Sequence, residues 1–423
     1  MNVNRIVVIG GGPAGMMAAI RAAQLHQDVT LIEKNSSLGK KLLLSGKGRC
    51  NLTNACDLDA FLKRFSHHGE FLRDAFKKFF NQDLIDFFES RGLKLKTERQ
   101  LRVFPVTDRS GSVLEALKKE LEKNKVKIIL KAQAKSISVQ GGAVKEVIIL
   151  DAGPIPADKV ILATGGISYA FTGSTGEGLG IARELGHHAT ALRPGLVPLK
   201  TKQKFVKDLE GLTLENIRLK FTHGKKVIVS EIGELVFTGF GISGPLVLTL
   251  SGKVVDSLSE GMPVFVEIDL KPALAKEQLN ARFLREFQAN SKKTIKNVLK
   301  NLLPQRLVDC FIELAKIDPD KQASQISKEE REKLVMLLKG LRLDIAVALP
   351  IEEAMVTRGG VTLKEIDPRN MESRIIKGLY FCGEMIDIDA DTGGFNLQAA
   401  FSTGYLAGES AAMKKDEKNI SCF

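Results

Sequence analysis

The sequence predicts an α/β chain built on a mainly parallel sheet, with a β-rich insert that itself carries a helical insert. Three observations predict it. A strand-like run, Arg5-Ile6-Val7-Val8-Ile9, leads straight into Gly10-Gly11-Gly12-Pro13-Ala14-Gly15 and then into a helical pattern. Strand and helix patterns alternate to about Leu192, as parallel sheets with crossover helices require. The texture then changes twice, near Pro194 to short alternating runs and at Pro272 to helical periodicity, before strand-like runs return. A β segment interrupted by helices and then resumed is the pattern of one insertion nested in another.

Element by element, residues 7–9 read as a strand, Ala14–Leu25 as a helix and Val29–Ile32 as a second strand. Lys63–Arg91 reads as two short amphipathic helices with Phe-rich inner faces. Val113–Lys123 is helical and Val126–Leu130 extended. Two alternating runs flank Gly141-Gly142 as a hairpin, and Lys159–Ala163 is a buried strand. From Leu196 to Leu270 the runs are short and alternating, for example Ile217–Thr222 and Val227–Glu231 about His223-Gly224. From Pro272 to Arg342 about four amphipathic helices are broken near Asn290, Pro304 and Pro319. Ile345–Leu349 and Ala354–Thr357 are strand-like, Leu379–Phe381 is a last strand and Leu397–Ala412 a last helix.

Composition narrows the class. At 423 residues the chain exceeds one ordinary core, and 44% hydrophobic residues suit a globular protein that buries several. No apolar stretch has the length of a membrane span, and the N-terminal strand is not a signal peptide, so a cytoplasmic protein without a membrane partner is expected. Cys50, Cys56, Cys310, Cys382 and Cys422 are scattered, with no CxxC pair, which argues against a disulfide framework or a zinc site. No metal site is expected. The net charge is +12, and residues 271–342 hold 16 Lys and Arg against 9 Asp and Glu, an excess of seven. A solvated helical face is the expected meaning, with a nucleic-acid partner as the alternative. The sequence does not read on oligomeric state.

The glycine turn is the clearest chemical signal. It matches GxGxxG between a strand and a helix, where Gly10 permits the tight turn, Gly12 lets a pyrophosphate approach the backbone, and Gly15 lets the helix pack on the strand. The pyrophosphate then faces free N–H groups and the positive end of the helix dipole. Glu33 ends the second strand, where a carboxylate accepts ribose hydroxyls and repels a 2′-phosphate. Gly393-Gly394-Phe395-Asn396-Leu397 opens the last helix, and its N–H groups would stabilise negative charge on a bound ring.

Longer motifs carry a resemblance. They are Leu38-Gly39-Lys40-Lys41, Ser45-Gly46-Lys47-Gly48-Arg49-Cys50-Asn51-Leu52-Thr53-Asn54, Arg102-Val103-Phe104-Pro105, Ala163-Thr164-Gly165-Gly166, the run Gly233–Pro245, Thr357-Arg358-Gly359-Gly360-Val361 and Gly378–Glu384. In this order, over nearly the whole chain, they make the sequence resemble the BaiN-like, or aminoacetone-oxidase-like, family of bacterial three-domain FAD-dependent oxidoreductases. The resemblance implies a glutathione-reductase-like Rossmann-type FAD-binding domain over 1–192 plus 356–423, a β-rich, barrel-like domain over 193–270 plus 344–355, and a helical domain over 271–343. It implies FAD contacts from Gly10, Gly12, Pro13, Ala14, Gly15, Glu33, Lys34, Lys41, Ser45, Gly48, Arg49, Cys50, Asn51, Ala134, Ala163, Thr164, Gly165, Gly383, Glu384 and Gly393 to Leu397. Residues 45–54 would run beside the isoalloxazine, and Gly383-Glu384 would meet the ribityl chain. Two positions depart from the pattern: Lys47 stands where the family often has Gly, and Gly239 where it often has His.

Flavin would carry the redox step, with substrate held near N5. Arg49, Asn51, Thr357 and Arg358 are the candidate catalytic residues, Arg49 either gripping a carbonyl or carboxylate or holding its loop by an ion pair. One dinucleotide fingerprint is present, so NADH or NADPH would enter the substrate cleft as a transient reductant, or O₂ would be the acceptor. Hydride transfer at N5 to or from a small organic molecule is expected, as reduction of an activated alkene or oxidation of a small amine. RNA modification through the basic helices, and flavin binding without turnover, are the alternatives. His67-His68 and His187-His188 read as surface or helix-end pairs, Asp387, Asp389 and Asp391 as a solvated turn, and Thr172–Gly178 as a helix entry lining the flavin cleft.

Overall fold

The computed structural model describes residues 3–413. The chain forms two compact units, one of residues 1–195 with 351–423 and one of residues 196–350.

The first unit is organised by a five-stranded parallel sheet in the order 379–381, 159–162, 5–9, 28–33, 127–130. The first strand lies in the middle. The chain leaves it for one neighbour, Asp28–Glu33, and returns later to the other, Lys159–Leu162, so the sheet reverses direction above Ile9. Ligands of open α/β sheets bind at such a point. Helix Pro13–Gln24 begins there, and the long helix Phe395–Ala412 packs along it. Gly404 and Gly408 make this crossing close: a Cβ on either would stand 2.2 and 2.3 Å from the carbonyl oxygens of Ala14 and Ala18.

The Phe-rich segment forms the helices Leu58–Leu62, Arg73–Lys78 and Asn81–Glu89. Its rings build one aromatic cluster, with Phe61 edge-on to Phe76, Phe80 and Phe395 at 5.2, 5.1 and 4.7 Å. The start of the last helix is therefore seated on aromatic rings.

Two smaller sheets join this unit: 134–140, 143–149 and 154–156, whose hairpin turns at Gly141-Gly142, and 53–54, 102–105 and 95–97. Arg193–Gly195 pairs antiparallel with Val356–Arg358 where the chain departs for the second unit and returns.

In the second unit, strand Thr213–His223 pairs with Gly233–Thr238 on one side and Val264–Asp269 on the other, and the strands 241–243, 199–201 and 341–348 close the ring. Helices 276–289, 295–299, 305–315 and 328–339 share one core with this barrel, in which Phe283, Phe311 and Leu338 meet Phe221, Val266 and Leu343.

One helix is not legible as such in the sequence. Pro245–Ser259 lies in the stretch read as β-rich, because Val247, Thr249, Val254 and Val255 are strand-formers. Tertiary packing overrides them: Val247, Leu250, Ser251 and Val254 are buried at helical spacing, and Gly244, at φ 93°, sets the turn before Pro245.

Among the described residues no helix is long and apolar enough to cross a membrane. Cys50, Cys56, Cys310 and Cys382 are free thiols, and Cys422 lies outside the described residues. Burial pushes the Cys50 and Cys310 thiols up to about 12.

Candidate active site

The three fingerprint glycines do three different physical tasks. Gly10 takes φ 110°, and a Cβ there would lie 2.5 Å from the Ala163 carbonyl oxygen. A Cβ on Gly15 would lie 1.9 Å from the Gly10 carbonyl oxygen. Gly12 is extended at φ −80°, and its Cβ would point into open space with nothing within 4 Å. So Gly10 and Gly15 are required by the fold, while Gly12 keeps a cradle clear at a helix N-terminus that no side chain caps.

Glu33 closes that cradle. Its Oε2 accepts from Gly11 N–H at 2.8 Å, and its Oε1 accepts from the backbone and side-chain nitrogens of Asn35 at 2.8 and 2.7 Å. A carboxylate has about four acceptor sites, so room for one ribose hydroxyl is left rather than two. Asn35 in turn donates to the Thr172 carbonyl, and Lys34 donates to Thr175 Oγ1 and Glu177 Oε1. Residues 172–177 thus lie beside Glu33 and its neighbours, and helix Glu177–Glu184 starts at the end of this segment. Ala132 N–H donates to the Glu33 carbonyl, which brings the approach to buried Ala134 to the same edge.

The second turn abuts the first. Ala163 N–H donates to the Ile9 carbonyl, and Thr164 Oγ1 reaches Met385 Sδ at 2.8 Å. Gly165 is left-handed at φ 77°. A polar knot follows. Glu384 Oε2 accepts from Lys41 Nζ at 2.6 Å, and Glu384 Oε1 accepts from Thr357 N–H at 2.6 Å and Ser168 Oγ at 3.1 Å. Thr357 Oγ1 accepts from the N–H groups of Ile167 and Ser168 at 2.8 and 3.0 Å. Gly383 donates to Thr403 Oγ1 and rests against Ala14. Lys41, Glu384, Ser168 and Thr357, from four separate segments, meet here. The motifs that carry the family resemblance hold three of them and gave no signal for Ser168.

Thr357 is only 1% exposed, and its hydroxyl is spent inside this knot, so it braces the site and does not face a substrate. Arg358 is also mostly covered, with Nε 3.9 Å from Asp389 Oδ2. Asp389 is no solvated turn residue: it accepts from Ser66 Oγ at 2.6 Å, and burial holds its carboxyl above the usual range. Among the described residues no cluster of three or more His, Cys, Asp or Glu suits a metal ion.

The loop of residues 45–50 is strongly bent. Gly46, Lys47, Gly48 and Cys50 all take positive φ, and Gly48 faces open space. Ser45 Oγ donates to the Leu42 carbonyl. Lys47 is exposed and Cys50 fully buried. Arg49 donates to Asp108 Oδ1 and Glu98 Oε1, and lies 4.2 Å over the Phe104 ring. Lys96 joins the same carboxylates. The structure therefore puts the Arg49 guanidinium in a loop-holding ion cluster. Asn51 Oδ1 is buried without a hydrogen-bond partner, an acceptor available to a donor beside this loop.

The far side is the start of the last helix. Gly393 and Gly394 take φ 129° and 99°, and a Cβ on Gly394 would lie 2.4 Å from the Thr53 carbonyl. No side chain caps the helix. Phe395 is buried on Phe61, Leu397 is partly buried, and Asn396 closes the preceding loop by bonds to both backbone groups of Ala390. Asn54 Nδ2 ties the Gly393 carbonyl to that of Gln100.

His187 is 3% exposed and no surface residue: its Nδ1 faces Glu365 Oε2 at 3.1 Å, its Nε2 faces Ser373 Oγ at 2.9 Å, and its ring meets Phe381 edge-on. Gly239 belongs to the second unit, where the Glu210 carboxylate fills the place a side chain would take.

A clear cradle at a helix start, a carboxylate at the second strand end, an unpaired buried acceptor and an uncapped helix opposite fit an extended dinucleotide with a ring system. The fold and site define an FAD-dependent oxidoreductase. The chain belongs to the HI0933-like family: residues 4–410 match the HI0933-like protein Rossmann domain. It is 36% identical over 417 residues to the 3-dehydro-bile acid delta(4,6)-reductase of Clostridium scindens, covering 97% of this chain and 99% of that one. It is 32% identical to the ribosomal RNA dihydrouridine synthase of Haemophilus influenzae, over 94% of this chain and 96% of that one, and 31% identical to that of Escherichia coli, over 95% and 96%. Among solved structures, the 3-ketosteroid delta1-dehydrogenase of Sterolibacterium denitrificans superposes with a TM-score of 0.55 at 13% identity, over 97% of this chain and all of that one, a likeness of fold.

Proposed function

We propose that this oxidoreductase adds hydrogen to a carbon–carbon double bond conjugated with a carbonyl in a small organic molecule, with NADH or NADPH as the reductant. The observation that carries the proposal is the uncapped helix start at Gly393–Gly394, seated on Thr53 and Phe61. When bound there, FAD supplies hydride transfer at N5, and the free N–H groups stabilise the negative charge that gathers on the pyrimidine side of the ring in the reduced state. Two relatives carry names that share this chemistry. A delta(4,6)-reductase of a 3-dehydro-bile acid saturates double bonds in conjugation with a ketone, and dihydrouridine is uridine with two hydrogens added across a conjugated ring bond.

In the proposed division of labour, Gly10, Gly12, Pro13, Ala14 and Gly15 hold the pyrophosphate. Glu33, Lys34 and Ala134 flank the adenosine. Lys41, Ala163 to Gly165 and Gly383-Glu384 line the ribityl chain. Ser45, Gly48, Cys50 and Asn51 edge the ring, and Arg49 fixes that loop rather than gripping substrate. Arg358, beside Asp389, is the cation assigned to a substrate carbonyl.

Uracil within RNA is the second candidate substrate, favoured by the basic excess of residues 271–342, where Lys276, Arg285, Lys292, Lys293, Lys300 and Lys333 are exposed. The test is anaerobic. NADH or NADPH should bleach the visible flavin band, and 2-cyclohexen-1-one or 4-androstene-3,17-dione should restore it. Bleaching restored only by O₂ would contradict alkene reduction. RNA binding that weakens steeply with salt would favour the uracil substrate.

A further inference from the structure

The second unit holds a site of a different kind. Helix Lys276–Ala289 turns Leu279, Phe283 and Phe287 into the core. Its other side borders a hollow of about 560 Å³, lined by Leu274, Gln278, Ala281, Arg282, Arg285 and Glu286. That volume lies in the range of ligand clefts. Residues 278, 281, 282 and 285 are three or four apart along the helix, which is why they share one side of it.

The charge around this hollow is not balanced from within. Among the described residues, neither the Arg282 nor the Arg285 guanidinium makes an ion pair or a hydrogen bond. Glu286, the one carboxylate of the lining, accepts from Asn301 Nδ2 at 3.1 Å. Lys271 is half-buried, and burial together with the like charge of Arg282 holds its ammonium below the ordinary range. Lys339 Nζ backs the same edge through the carbonyls of Lys271 and Leu274 at 3.0 and 2.8 Å, but Asp269 matches its charge at 2.6 Å. Lys271, Arg282 and Arg285 are left as an excess of positive charge about one concavity. Such charges repel one another, and their summed field draws an anion. The guanidinium is suited to phosphate, being planar, always charged and able to give two parallel N–H bonds.

Length separates a polyanion from a single phosphate. The 14 residues of the helix span about 21 Å. Exposed Lys276 stands at its start, and exposed Lys292 and Lys293 lie just past its end. Cations therefore flank the hollow at both ends of the helix, as a strand carrying phosphates in series requires.

We propose that this hollow binds the phosphodiester backbone of an RNA strand, with Arg282 and Arg285 each taking a phosphate. The proposal goes beyond the alkene reduction above, since it fixes where RNA is held whichever double bond the flavin reduces.

The test uses full-length holoprotein and a fluorescein-labelled single-stranded RNA, titrated by fluorescence anisotropy over a range of salt. Arg282→Gln/Arg285→Gln should weaken binding about tenfold or more, and should lower the slope of log affinity against log salt by about 1.4, from two single-strand contacts at about 0.7 each. Lys300→Gln/Lys316→Gln removes the same charge from exposed positions outside the hollow and should keep most of the affinity. Both variants should retain wild-type flavin content and melting temperature. RNA left free by the wild type at low salt overturns the site. Equal losses in the two variants overturn it as well, because the attraction would then be diffuse. Displacement of the RNA by AMP or inorganic phosphate at constant ionic strength would give the hollow to a free phosphate instead. Reoxidation of the reduced flavin by 2-cyclohexen-1-one should be unchanged in both variants, and its failure in the wild type would count against the alkene function alone.

Discussion

At the scale of single residues, the glycine fingerprint was readable because each glycine answers a local constraint, and the structure shows how substitutions can tell those constraints apart. Gly12→Val meets no backbone strain and no neighbour, but its methyl groups fill the cradle. It should fold with wild-type circular dichroism and purify colourless; a yellow protein with full flavin would refute the cradle. Gly10→Val should instead fail to fold, since its Cβ would stand on the Ala163 carbonyl at a φ that only glycine tolerates well. His187 was not readable, because its partners Glu365 and Ser373 lie far along the chain. Burial lowers its pKa, with Glu365 opposing, so the folded state prefers the neutral ring. Below the ordinary value of 6.5 the unfolded chain binds a proton that the folded chain resists, so stability falls as pH drops from there toward the depressed folded value. Melting temperature should decline across that window, and His187→Gln should flatten the decline even if it lowers stability overall. An equally steep decline in the variant would remove His187 as the cause.

At the scale of elements, legibility followed locality. The first strand, its helix and the strand ending at Glu33 carry their period and their turn in adjacent residues, and they appear within a residue or two of expectation. The sheet of residues 53–54, 95–97 and 102–105 does not, because its strands are too short to show alternation and are defined only by pairing. Helix 245–259 was hidden by β-branched residues that its own burial pattern overrides. The crossing of the first and last helices was hidden for another reason: glycines inside a helix look like flaws until the facing backbone is known. At Gly408 the facing atom is the Ala18 carbonyl oxygen, which cannot move aside as a side chain would. Gly408→Val should cost about 1–3 kcal/mol through forced separation of the helices. Gly180, inside helix Glu177–Glu184 with open space around it, is the control: Gly180→Ala should stabilise by about 0.5–1 kcal/mol. Urea melts of both variants check the pair, and equal effects would show that the crossing is not tight.

At the scale of the whole molecule, the interruption of one fold by another is visible in the texture of the sequence, while the economy of the junction is not. Residues 193–195 and 356–358 pair antiparallel, with Gly195 opposite Val356, so the points where the chain leaves and re-enters the first unit are neighbours. That unit has its own core, running from Ile6 through Phe61 and Val160 to Leu406, and it contains every residue proposed here to hold FAD. Replacing residues 196–350 by a short turn should therefore leave a protein that melts cooperatively and stays yellow. The same excision removes the basic helices, and the long-range attraction of a polyanion depends on where the charge sits. If RNA is held by those helices, the excised protein should lose salt-dependent RNA binding while keeping its flavin. Retention of both would move the RNA contact to the first unit, and loss of flavin would mean that residues 196–350 help to hold the cofactor.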